Sequence, residues 1–193
     1  MNDAITFASY MKDASFTVYF AHNPKQTEFL NYFHTIYKYT TNYLVIYYTG
    51  HGDSVEDQNG DEADGFDEAL VFDDDFLVDD ELGEVIAHGS KNSGSTVLLI
   101  NDCCHSGSIY DIQNGHYQGM QLPAKVMSLS TARDKETAKQ TTVGSTDQGI
   151  FTFYLFKLLS ENQNTAPNQM ETKIESICIL SEKCTKFNLS IIS

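Results

Sequence analysis

Two short stretches hold the residue types suited to nucleophilic chemistry: Thr49-Gly50-His51-Gly52, and Asp102-Cys103-Cys104-His105-Ser106-Gly107. A thiol attacks only as the thiolate. A cysteine of ordinary pKa, about 8.5, therefore needs an imidazole or backbone dipoles beside it to be poised near neutrality. His51 and His105 are the imidazoles on offer. His105 follows the thiol pair directly and should point away from it, which suits a structural, hydrogen-bonded histidine better than a base. Zinc bound by His51, Cys103, Cys104 and His105 fails on spacing, because zinc motifs leave two or more residues between paired ligands. Neighbouring residues cannot both face one site, so one thiol would react and the other serve as a small buried side chain.

The elements that must carry these groups are readable around them. Val97 to Ile100, after the β-branched Thr96, is an apolar run that reads as a buried parallel strand. A second apolar run, Tyr43 to Tyr48, stops on the Thr-Gly-His-Gly. Ligands of open α/β sheets bind at the carboxyl ends of the strands, so two parallel strands would deliver a Cys and a His to one edge. Elsewhere, residues 3 to 12 have helical spacing and Phe16 to Phe20 reads as a short strand. Asn23-Pro24 predicts a helix start, with Asn as cap and Gln26 at the capping-box position, running to Tyr39. Asp53 to Gly65 is acidic and glycine-containing and reads as an exposed loop. A strand follows around Glu68 to Phe72. A helix with acids in its first turn runs from Asp79 to about His88.

Residues 108 to 124 show no period and read as a loop, with a strand at Lys125 to Leu129. Gly149 to Leu159 is apolar almost all round, as a buried helix would be. The tail beyond residue 160 is ambiguous, with Glu175 to Leu180 a candidate strand. Strands alternating with helices predict an α/β fold, a mainly parallel sheet with helices on both faces.

The 193 residues make one domain's worth of chain, 1 to 193. A net charge of −15 argues against nucleic acid or anionic membrane as partners and favours basic substrates or bound cations. The four cysteines form no secreted disulfide framework, which points to a reducing, cytoplasmic setting. No run approaches the length of a membrane span, and the first residues lack the pattern of a signal peptide.

The segments YYTGHG at 47 to 52, DGFDEALV at 64 to 71, VDDEL at 78 to 82, DCCHSG at 102 to 107 and SLSTARDKETA at 128 to 138 together resemble the metacaspases. Their order and the 53 positions between His51 and Cys104 carry that resemblance. It implies a caspase-like fold and a calcium-activated cysteine endopeptidase, a monomer that cuts peptides and proteins after Arg or Lys. Cys104, which directly precedes His-Ser-Gly, is the implied nucleophile and His51 its partner. The backbone N–H groups of Gly52 and Cys104 would form the oxyanion hole. Asp3, Thr49 and Asp102 match the pocket for the basic side chain, and Asp67, Asp79, Asp80 and Asp111 match the calcium ligands.

Calcium takes six to eight hard oxygens, which such carboxylates supply. Asp57 to Glu68 nearly satisfies an EF-hand loop, but Glu62 stands where the sharp turn needs Gly and a strand precedes it, so that reading is rejected. The family's first core strand, expected before Asn2-Asp3-Ala4, is missing, which would leave a gap inside the sheet. Two rivals follow: a catalytically inactive, regulatory caspase-like binding module, and a caspase proper, which would need basic pocket residues where this chain has acids.

Overall fold

A computed structural model describes residues 2–60, 62, 65–88, 94–103, 109, 124–130, 140–143, 146–149, 152, 155, 156 and 188–192. Among the described residues the helices α1 (Asn2–Asp13), α2 (Gln26–Tyr39) and α3 (Asp79–His88) accompany the strands β1 to β9. β1 (Tyr43–Thr49), β5 (Ser95–Asp102), β6 (Ala124–Ser130) and β9 (Asn188–Ile192) form the main sheet in the order β1-β5-β6-β9. The first two junctions are parallel and the last antiparallel. β2 (His51–Glu56), β3 (Phe66–Val71) and β4 (Phe76–Val78) make a small antiparallel sheet, and β7 (Gln140–Val143) pairs with β8 (Thr146–Gly149).

The two-residue period of a strand sorts the core into two layers. Leu44, Val97, Leu99 and Val126 turn to one face, where they meet Phe33 and Tyr37 of α2 and Leu82 and Ile86 of α3. Leu98, Ile100, Met127 and Leu129 turn to the other, against Phe7 and Met11 of α1 and Leu155. Helices on both faces of a mainly parallel sheet are what the alternating pattern predicts. No helix among the described residues is long and apolar enough to cross a membrane.

Three local expectations are corrected. Phe16 to Phe20 is not a strand: Phe16 packs against the α1 layer, but Val18, Tyr19 and Phe20 are exposed. A run of β-prone residues becomes a strand only beside a ladder partner, and none of the described strands pairs with it. The second helix begins at Gln26 rather than after Asn23. Asn23 sits in the left-handed region at φ 45°, so it cannot cap. Lys25 takes the cap position, its N–H donates to Glu28 (3.1 Å), and the Gln26 N–H donates to the distant Asp74 carboxylate (3.0 Å). Lastly, His51–Glu56 is a strand in register with β3, His51 opposite Val71 and Glu56 opposite Phe66, so the predicted loop shrinks to the residues after Glu56.

β1 is an edge strand of the main sheet among the described residues, the place where a further strand was expected. Cys104, His105 and Asp111, residues 110 to 123, the segment 131–138, most of the predicted helix 149–159 and the candidate strand 175–180 lie outside the described residues. Gly149 itself ends β8, while Thr152, Leu155 and Phe156 are helical.

Candidate active site

β1 and β5 run side by side with Thr49 opposite Asp102, so both strands end at the same edge. Parity then divides the residues there. Tyr48 and Cys103 belong to the layer of α2 and α3, while Tyr47, Thr49 and Asp102 follow the parity of the α1 layer. Cys103 is 1% exposed and packed among the core residues of its layer, where no substrate carbonyl reaches.

The histidine is delivered by a sharp corner. β1 ends at Thr49, Gly50 alone intervenes, and His51 opens β2 in a different sheet, with its side chain at the surface. The Tyr48 ring folds back over this corner: its hydroxyl lies 2.9 Å from the His51 carbonyl oxygen and 2.8 Å from that of Val71. The phenol has one proton to donate, shared between two carbonyls. A Cβ on Gly50 would lie 2.6 Å from Tyr48 Oη, so the corner requires glycine. Phe29 and Phe72 pack on the same ring, and burial pushes the Tyr48 phenol pKa up. The backbone of His51 is thus tied at once to β1 and β3.

On the α1 face, Asp102 is half-buried at the end of β5. Thr152 Oγ1 donates to its Oδ2 at 2.5 Å and Tyr47 Oη lies 3.3 Å from the same oxygen. The two hydroxyls are 2.7 Å apart. Phe7 of α1 stacks on the Tyr47 ring at 4.4 Å, and a Thr49 side-chain hydrogen bond reaches the Tyr47 phenol. Burial raises the Asp102 pKa, the Thr152 hydrogen bond opposes that, and repulsion from Asp3 raises it further. The structure therefore brings Asp3, Thr49 and Asp102 together around Tyr47.

Tyr47 and Thr152 were not singled out from the sequence. For Tyr47 the signal is parity, two residues before Thr49 on the same face; for Thr152 it is the one aliphatic hydroxyl in the apolar run GIFTFYLFKLL.

The acids matched to calcium sit on the β3–β4–α3 corner. Asp67 and Asp79 are buried, at 4% and 2% exposure. Asp79 accepts the Glu68 N–H (2.9 Å) and the Asp80 N–H (3.0 Å). Burial, helped by repulsion from Asp67 and Asp80 and opposed by these hydrogen bonds, pushes its pKa up to about 7. Like charges gathered under cover are a fitting nucleus for a divalent cation. Asp80 also accepts a hydrogen bond from the Asn59 amide (2.7 Å). Among the described residues no three carboxylate, imidazole or thiol groups converge as a metal site, and the remaining matched acid, Asp111, lies outside them. Asp57 uses its carboxylate to close its own loop, accepting the N–H groups of Asn59, Gly60 and Glu62, hydrogen bonds that lower its pKa.

Comparison with known proteins agrees with this frame. Metacaspase-2 of Arabidopsis thaliana is 41% identical over 73 residues, 36% of this chain and 17% of that protein. Metacaspase-1 of the same plant is 28% identical over 144 residues, 62% of this chain and 39% of that protein. The aligned segments thus span well under half of the curated relatives. A crystal structure of a protein from Geobacter sulfurreducens superposes with a TM-score of 0.69 at 20% identity, over 98% of this chain and 81% of that one, and the shared fold is the caspase-like α/β arrangement. The family described as metacaspase, peptidase C14 domain, matches residues 4–113, more than half of the chain and the span that contains both strand ends, and the chain belongs to that family of caspase-like cysteine peptidases.

Proposed function

We propose that the chain is a cysteine endopeptidase that cleaves after Arg or Lys, with Cys104 as nucleophile, His51 as its base and acid, and calcium as activator. The supporting observation is the cluster of Asp3, Thr49 and Asp102 around Tyr47 on the α1 face. Burial, with repulsion from the Asp3 carboxylate, makes ionisation of Asp102 costly, and a guanidinium or ammonium entering there would relieve that cost. An acidic side chain would meet like charge instead.

The Cys104 thiolate attacks the carbonyl carbon of the bond after that basic residue. The oxyanion is held by the backbone N–H groups of Gly52 and Cys104. His51 gives its proton to the leaving amine, and the C–N bond breaks. Water then attacks the thioester, His51 takes its proton, and the acid and free thiol are released. Asp67, Asp79, Asp80 and Asp111 would hold calcium. Its charge offsets their mutual repulsion and steadies β3, the strand against which β2 and His51 are paired.

A panel of fluorogenic peptides differing only in the residue before the cut bond, run across calcium concentrations, tests this. Arg and Lys peptides should be cleaved and Asp refused, with half-activation at about 10⁻⁴ to 10⁻³ M calcium, as for loop-built sites with few pre-ordered ligands. Preference for Asp would make the protein a caspase. Binding of Arg peptides without turnover would make it a regulatory module, and full activity in excess chelator would remove calcium from the scheme.

A further inference from the structure

Among the described residues, the hydrogen bonds to Asp102 fall on one of its two oxygens. Thr152 Oγ1 and Tyr47 Oη both approach Oδ2, and the two hydroxyls are themselves in contact. Oδ1 accepts no hydrogen bond among the described residues. The carboxylate is therefore gripped by one oxygen, with the other accepting no hydrogen bond from a described residue. The grip is rigid because its members come from separate parts of the chain. Tyr47 is held by the Phe7 ring of α1 and lies on β1, two residues before Thr49, and Thr152 is fully buried on a helical segment 50 positions beyond Asp102. If Tyr47 donates to Thr152, the threonine is left to donate to the carboxylate, and chained hydroxyls polarise one another.

We propose that Tyr47 and Thr152 are positioning residues for substrate specificity: their hydroxyls hold Asp102 by Oδ2 so that Oδ1 is presented to the cationic side chain of the substrate. This deepens the reading of Asp102 as the carboxylate that selects Arg or Lys, and rests on it. Hydrogen bonds to the charged form also favour ionisation, against the burial and the Asp3 charge that oppose it. The groups facing Asp102 are then the Asp3 carboxylate from α1, the Tyr47 phenol from β1, with the Thr49 hydroxyl behind it, and the Thr152 hydroxyl.

The test compares two peptides that differ only in Arg or citrulline, its neutral isostere, before the cut bond. The full chain is used at saturating calcium. Thr152→Val removes one hydroxyl and keeps the shape; Tyr47→Phe removes the other. The Arg-to-citrulline ratio of kcat/KM should fall roughly tenfold in Thr152→Val and severalfold in Tyr47→Phe, as expected for lost hydrogen bonds to a charged group. Citrulline cleavage should fall less than Arg cleavage. The acid limb of the Arg profile should shift to higher pH, and Thr152→Ser should restore both ratio and limb.

An unchanged ratio and limb in Tyr47→Phe and Thr152→Val, with the ratio collapsed in Asp102→Asn, overturns the positioning role and leaves the pocket standing. An unchanged ratio in Asp102→Asn overturns the pocket and this inference with it. If Thr152→Val does not fold, Tyr47→Phe decides by the same ratio.

Discussion

Cys103 and Cys104 are neighbours to which the proposed function gives different parts. Cys103 is spent on the core of the α2–α3 layer, which agrees with the proposal of Cys104 as the nucleophile. Cys104→Ala should abolish peptide hydrolysis. Cys103→Ala should keep most of it and lose stability by about 1 kcal/mol through the shortened side chain. Labelling by an Arg-directed thiol-reactive peptide, followed by thermal melting of both variants, separates the two effects. Equal loss of labelling from both would return the assignment to either thiol. The placement of His51 and Cys103 just beyond the ends of two strands was legible in the sequence because an apolar run stops shortly before each. Tyr47 and Thr152 were not, since their meeting with Asp102 spans 105 positions between the two hydroxyls and exists only after the sheet and its covering helix have packed.

At the scale of elements, the β1–Gly50–β2 corner and the β3–α3 corner each rest on a single side chain that bridges two segments. Tyr48→Phe removes the hydroxyl that ties the His51 carbonyl to β1 and the Val71 carbonyl of β3. We expect a loss of about 1 kcal/mol of stability and roughly tenfold in kcat from misplacement of the imidazole, with KM little changed. A matching fall in Cys103→Ala would show that loosened packing alone accounts for it.

Asp79 fastens α3 to β3, and its folded pKa of about 7 lies above the ordinary 3.8. The stability it allows is thus fully present below 3.8 and lost as pH rises through about 7. In chelator, wild type should lose more thermal stability than Asp79→Asn between about pH 5 and about pH 8. Calcium should recover that loss in wild type alone. Parallel pH curves would discharge Asp79 from this role.

The long apolar strands and α3 were legible because period and first-turn charge agree with the packing. β2 was hidden by its polar residues, Asp53, Ser54 and Glu56, which are carried in the ladder by pairing with β3. Phe16 to Phe20 misled in the opposite direction, having the composition of a strand and no described neighbour to pair with.

For the whole molecule, the balance of 27 acidic against 12 basic side chains sets the long-range field. Under the proposed function Arg would be selected beside Asp102 at short range, and that preference should survive salt. The approach of a peptide with several further positive charges should not, because a Debye length of about 8 Å at physiological ionic strength leaves distant attraction screened. Raising salt should lower kcat/KM for a polybasic Arg peptide more than for an Arg peptide of zero net charge. An equal response of the two would confine electrostatics to the pocket. The two core layers were predictable from strand period, whereas the order β1-β5-β6-β9 with its antiparallel last member was not, since β9 comes from a tail without a clear pattern.

The glycine corner also constrains how such a chain can change over generations. A side chain at Gly50 would meet not only the Tyr48 oxygen at 2.6 Å but also its ring carbon at 2.8 Å, and the ring is pinned by two carbonyls and by Phe29 and Phe72. Substitution at 50 is therefore tolerated only in a background where 48 has already shrunk, while shrinking 48 first surrenders the tether on His51. The two positions are coupled in a fixed order, the kind of pair whose effects do not add. A descendant that had lost the need to hold its histidine still could take the first step freely, so drift at 48 followed by drift at 50 would be the mutational trace of a lineage that had given up cutting.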